Sequence, residues 1–218
     1  MRDLVSLIQQ AEADKAIRVL VFASADPDYF IAHVEVTRVK EYREEAARLA
    51  GEASIGLLFR RLSESRLVTI AQVDGRVRGA GSEFVRACDM SFAARETAIF
   101  GQPEGGFGVI PGARGIQHLT RLMGRARTLE AILSATDYDA NLAERYGWIN
   151  RALPASDLGG FVASLARRIA DFPVANLAVV KERVNAIGSP RSTSFAATRT
   201  SLAKASRTRG HNIVFKLR

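Results

Sequence analysis

The sequence predicts an α/β protein, with parallel strands in its first half and a helical second half. Three observations carry this. The runs IRVLVFA (17–23) and LVTIAQV (67–73) are almost continuously apolar, as strands covered on both faces of a parallel sheet are. Stretches of helical spacing separate the strands, and such alternation joins parallel neighbours by crossovers. Beyond residue 116 the apolar positions keep a helical period almost to residue 187.

The elements follow in order. Residues 2–13 place Leu4, Val5, Leu7, Ile8 and Ala11 at helical spacing. The first buried strand, 17–23, ends before a turn at Asp26-Pro27-Asp28. From 36 to 62 the pattern is helical and charged, with Gly51 and Gly56 as expected breaks. The second buried strand, 67–73, runs into the glycine-rich turn DGRVRGAG (74–81). A helix is predicted at 82–87, a strand at 90–93 and a short strand at 98–100, leading into GQPEGGFGVIPGARG (101–115). Short helices at 116–123, 128–134 and 141–146 precede a strand at 148–152. Longer helices at 157–171 and 174–186 are divided by Pro173, which cannot continue a helix. No linker or internal repeat divides the chain. Two regions are expected: an α/β core at 1–150, and a helical region at 151–218 that ends in a basic tail.

Composition sets limits on function. Apolar residues are 47% and charged residues 25% of the chain, ordinary for a globular protein. No apolar run is long enough to span a bilayer, and the start lacks the pattern of a secretory signal. The single cysteine, Cys88, has no internal disulfide partner, and a cytoplasmic setting is expected. Seven of the eight net positive charges fall in 189–218, which holds no acid. Such a tail suits phosphates of a cofactor, an RNA or a membrane surface; we favour a solvated or subunit-contacting tail over nucleic-acid binding. His118 and His211 are isolated, so no metal site is expected. Cys88 has no accompanying base and reads as core.

Chemistry concentrates between 67 and 118. A buried strand enters DGRVRGAGSE and then a helix. Amides in the first turn of a helix lack internal partners, and the helix dipole adds positive charge there. Such a turn suits an anion or a developing oxyanion, and Gly79, Ala80 and Gly81 would let a substrate approach the backbone. Glu83 and Glu104 are the acids nearest this turn in sequence. Taken singly, Glu83 reads as a solvent-facing helix residue and Glu104 as a loop acid.

In order and spacing, DGRVRGAGSEF, ACD, FAARETAIFGQPE and GFGVIPGARGIQHLTRLMG resemble the enoyl-CoA hydratase/isomerase (crotonase) family. DPDYFIAH (26–33) resembles that family's first oxyanion loop, and ATDYDANLAERYGWINRALP (135–154) its helix-to-strand passage. The resemblance implies a spiral core of repeated strand–strand–helix units with a helical C-terminal region. It implies an acyl-CoA thioester substrate and an enolate held between the backbone amides of Val34 and Ala80. Glu83 and Glu104 would be the catalytic carboxylates, Glu83 activating a water and Glu104 delivering the α proton. Both acids are present, which favours hydration of a 2-enoyl-CoA over isomerisation or other enolate chemistry. Ala32, His33, Gly79, Arg78 and Pro111 would line the substrate site. No cofactor is needed beyond the coenzyme A of the substrate. A homotrimer or hexamer acting in fatty acid metabolism is expected. A non-catalytic RNA- or CoA-binding relative is the reading of a different class.

The chain departs from the family pattern at several positions. His33 and Ala80 stand where glycines are usual, and Arg76 and Arg78 where aromatic or apolar residues are common. Arg78 is expected to meet a carboxylate or phosphate, since guanidinium suits planar acids. Arg114 replaces a small residue. The family's opening strands, which help to bind the nucleotide end of coenzyme A, are absent, so an exposed sheet edge is expected.

Overall fold

The structure is a computed structural model that describes residues 2–31, 35–51 and 55–188. Its strands form two four-stranded sheets, and the chain visits them alternately. The chain opens with helix α1 (Arg2–Ala13). Strands β1 (Val19–Phe22) and β2 (Tyr29–Ile31) enter the first and second sheets, and helices α2 (Val39–Ala50) and α3 (Ile55–Glu64) follow. The next unit repeats the pattern with β3 (Val68–Val73), β4 (Arg76–Arg78) and α4 (Ala80–Ala87). A third unit has β5 (Met90–Ala94), β6 (Ile99–Gly101), a 3-10 turn at Pro103–Phe107 and α5 (Gly115–Ser134). The chain then runs through β7 (Asp137–Asp139), α6 (Ala140–Tyr146), β8 (Arg151–Leu153), α7 (Ala155–Ala170) and α8 (Val174–Gly188).

The first sheet, ordered β1-β3-β5-β8, is parallel throughout. The second, β2-β4-β6-β7, is parallel except that β7 runs against β6. Each strand–strand–helix unit thus adds one strand to each sheet, the spiral that the resemblance implies. β8 lies beyond residue 150 yet completes the first sheet, and α7 covers that sheet with Leu158 and Val162 buried. The helical region is therefore joined to the core by a strand.

The core explains these placements. Leu67, Ile70, Ala71 and Val73 are fully buried, as the apolar run requires. Between the layers, Phe84 on α4 receives the edge of Phe22 (ring centroids 5.0 Å apart) and packs with Phe59 and Phe30. This aromatic cluster seats α4. Arg66 closes α1 by donating to the carbonyls of Ala11 and Glu12 in its last turn and of Asp14 and Ile17 just beyond it. Helix α8 has no buried residue. It is pinned by polar bonds: Lys181 Nζ donates to Leu67 O (2.7 Å) and Asp89 Oδ2 (2.8 Å), and Asn185 to Ser63 O.

Several expectations need correction. The strand at 17–23 shortens to β1 and is half-buried, because it forms the edge of its sheet; Val21 is 36% exposed. Gly51 ends α2 in a left-handed conformation (φ 80°) as expected, whereas Gly56 lies inside α3. Strands β2, β4 and β7 were not expected, since three residues are too few to show a period. The two helices expected at 116–134 form one element broken at Gly124 (φ 79°, ψ 169°). The strand expected at 148–152 begins only at Arg151.

Strand β2 pairs with β4 from Tyr29↔Arg76 onward, and Gly75 lets them start. A Cβ there would lie 2.5 Å from the Asp28 carbonyl carbon and oxygen. Gly75→Ala should therefore destabilise the fold by about 1–3 kcal/mol through overpacking. Urea unfolding should show this as a lower midpoint with an unchanged slope.

Candidate active site

The site grows from the first turn of α4. Gly79 caps this helix with φ 54° and ψ −122°. Its N–H donates to Gly101 O (3.1 Å), and its carbonyl accepts from Glu83 N (2.9 Å). Ala80 is the first helical residue, so its N–H has no intrahelical acceptor. Gly81 admits the end of β2: a Cβ on it would overlap the Ile31 carbonyl oxygen. The chain leaving Ile31 therefore starts beside this turn. Ala32, His33 and Val34, which follow, lie outside the described residues.

Glu83 is 3% exposed. Its Oε1 accepts from the amides of Ala113 and Gly115, both at 2.8 Å. Arg114, between them, is left-handed (φ 72°), and such a turn directs neighbouring amides at one anion. Gly115 has no space for a side chain, since a Cβ would lie 2.8 Å from Glu83 Oε1 and 3.0 Å from Pro111 Cβ. Burial raises the Glu83 carboxyl from its ordinary value to about 7, with the Glu104 charge adding to the rise. The Arg86 charge and the two amides pull it back.

Glu104 follows Pro103 in the 3-10 turn. Gln102 Nε2 donates to Glu104 Oε1 (2.8 Å), while Oε2 is buried with no partner among the described residues. Burial raises this carboxyl too; its own amide, Arg86 and Gln102 oppose the rise. The charge of Glu104 thus acts on Glu83 in a partly dehydrated setting.

Other expected residues fall differently. Pro111 is buried beside Gly115. The guanidinium of Arg78 pairs with Asp137 on β7, Nε donating to Oδ1 at 2.8 Å and Nη2 to Oδ2. It already holds the planar acid foreseen as its partner, but that acid belongs to the protein. Sequence reasoning did not find Arg86, Ser82 or Gln102 as part of the site. Gln102 lies inside the GQPE motif, and Ser82 and Arg86 stand at the i,i+4 spacing that brings side chains together on a helix. A cavity of about 830 Å³ lies under α8, lined by Arg86, His118 and Trp148 among others, but by neither acid. Among the described residues no cluster suits a metal ion, and no helix is long and apolar enough to cross a membrane.

A two-sheet spiral of repeated strand–strand–helix units, with a buried acid on α4 that feels the charge of a second acid, is the fold of the crotonase enzymes. The family model described as enoyl-CoA hydratase/isomerase matches residues 1–209, and the chain belongs to that family. A probable enoyl-CoA hydratase of Mycobacterium bovis is 33% identical over 85% of this chain and 70% of its own length. A short-chain-enoyl-CoA hydratase of Clostridium acetobutylicum is 29% identical over the same shares. The crystal structure of a candidate enoyl-CoA hydratase from Streptomyces avermitilis is 52% identical, with a TM-score of 0.89 over 95% of this chain and 75% of that one.

The raised Glu83 pKa has a thermodynamic consequence. The folded state keeps this proton up to about pH 7, whereas an unfolded glutamate releases it near 4.5. Stability is therefore lost as pH rises between those values. The half-buried His118, held neutral down to about pH 3, acts in the opposite sense as pH falls below 6.5. The difference between variants isolates the acid. Glu83→Gln should gain on the wild type by roughly 3 kcal/mol between pH 4.5 and pH 8, read by chemical denaturation at each pH.

Proposed function

We propose that the protein catalyses reversible addition of water to the double bond of a 2-enoyl-CoA thioester. The observation that carries this is the buried Glu83 with the half-buried Glu104, whose charge acts on it, beside the open amides at the start of α4. Hydration needs a base for water and an acid for the α carbon. Two neighbouring carboxyls that do not ionise together supply both at once.

In this reading the thioester oxygen lies between the amides of Val34 and Ala80. Glu83 takes a proton from water as the water oxygen bonds to the β carbon. The electron pair of the double bond moves toward the thioester, and the resulting enolate is held by the two amides. Each such donor is worth about 3–4 kcal/mol to the transition state. Glu104 then gives its proton to the α carbon. Glu104 Oε2, which has no partner among the described residues, is the atom suited to this transfer. Passage of the proton gained by Glu83 to Glu104 restores the pair, so water and substrate balance without a further cofactor. The names of the relatives favour hydration within the family. The same reading includes a cytoplasmic trimer or hexamer working on fatty acyl thioesters.

Purified protein should hydrate a short 2-enoyl-CoA, and Glu104→Gln should reduce turnover about a hundredfold or more. A panel of 2-enoyl, 3-enoyl and halogenated acyl-CoA thioesters checks the reaction class by product chromatography. Full activity in Glu104→Gln would remove the assignment. Turnover confined to the 3-enoyl thioester would replace hydration by isomerisation.

A further inference from the structure

We propose that Arg86 is a positioning residue of the carboxyl pair: it grips Gln102, which fixes Glu104, and its charge lets the two acids hold one negative charge between them. The inference deepens the hydratase reading and rests on it for its kinetic part.

Arg86 is only 6% exposed on α4, one turn beyond Glu83. Its Nη1 donates to Ser82 Oγ (2.5 Å) and its Nη2 to Gln102 Oε1 (2.7 Å). Gln102 is fully buried, and its other end donates to Glu104 Oε1 (2.8 Å). An amide whose oxygen is engaged by a guanidinium must present its NH₂ group elsewhere, and here that group meets the acid. Arg86 thus sets which way Gln102 faces. The Trp148 ring lies under the guanidinium, 5.6 Å from ring centroid to Cζ.

The charge has a second effect. A buried cation needs compensation, and Glu83 and Glu104 are the acids whose fields act on it. Without the cation, two neighbouring carboxyls in a dry site would both keep their protons, leaving no base for water. With it, one ionises while the other stays protonated. The charged groups on the neighbouring elements do not take over this role. His118 on α5 is neutral at working pH, and the positive charges of Arg114 and Arg121 act on His118 rather than on either acid. Asp89, at the end of α4, is committed to Lys181 of α8.

The test uses the whole protein with Arg86→Met, which removes charge and grip, and Arg86→Lys, which keeps the charge but loses the planar fork. Arg86→Met should move the acid limb of the kcat/KM profile up by about one pH unit or more. Its kcat should fall about a hundredfold with little change in KM. Arg86→Lys should keep the limb near the wild-type position and still lose kcat. A purely structural role would lower the active fraction without moving the limb, and an unmoved limb in Arg86→Met overturns the proposal.

Nuclear magnetic resonance supplies an arm that needs no turnover. In wild-type protein with labelled arginine and glutamate, the Arg86 Nε signal should shift with the same midpoint as the Glu83 and Glu104 carboxyl carbons. A flat Arg86 signal across the titration of the acids overturns the coupling even if the variants do not fold. Absence of enoyl-CoA turnover in the wild type, with the signals still moving together, would remove the hydratase reading and leave the Arg86 coupling standing.

Discussion

One carboxylate oxygen, Glu83 Oε1, joins α4 to the beginning of α5. It takes two main-chain hydrogens from Ala113 and Gly115, and the local backbone is shaped around that contact. Arg114 adopts a left-handed conformation that costs an ordinary residue about 1–2 kcal/mol. Gly115 cannot carry a side chain without striking the acid. The positive end of α5 faces the same oxygen. Burial favours the protonated acid, while the amides, dipole and nearby guanidinium favour the anion. Their near balance is what gives a carboxyl group a useful proton affinity near neutrality.

The same economy of space acts at the other end of the turn. Gly75 and Gly81 are positions where the backbone meets the two ends of β2 with no allowance for a methyl group. Because β2 lies against α4 in this way, chain segments far apart in sequence converge on the first turn of one short helix. The aromatic rings packed on Phe84 hold that helix from the side opposite in function, by bulk rather than by polar bonds.

Much of this architecture was legible in the residues. The run at 67–73 announced the central strand because a strand covered on both faces needs no polar positions. Pro173 divided the last two helices for a covalent reason, and the broad order of strands and helices followed. The three-residue strands were invisible because they carry no period of their own; their partners, not their composition, make them strands. The edge position of β1 could not be read from an apolar run. Glu83 and Glu104 were located through the family pattern around them, since neither spacing nor composition singles out two acids 21 positions apart. Arg78 illustrates the reverse difficulty. A guanidinium suited to an acid was legible, but its acid, Asp137, comes from a strand formed 59 residues later. Arg86 was hidden because a charge on a short helix ordinarily faces water, and only packing by Trp148 and Gln102 turns it inward.

Helix α8 meets the rest of the molecule chiefly through a few side-chain bonds, and one of them reaches a telling place. Lys181 grips Asp89, the residue that stands between α4 and β5 and also accepts from the amide and hydroxyl of Thr69. A displacement of α8 would thus reach, through the Lys181 ammonium, the foot of the helix that carries Glu83. Helix α8 and the acid are mechanically in series, although Lys181 and Asn185 bond to Leu67, Asp89 and Ser63 and to neither carboxyl of the site.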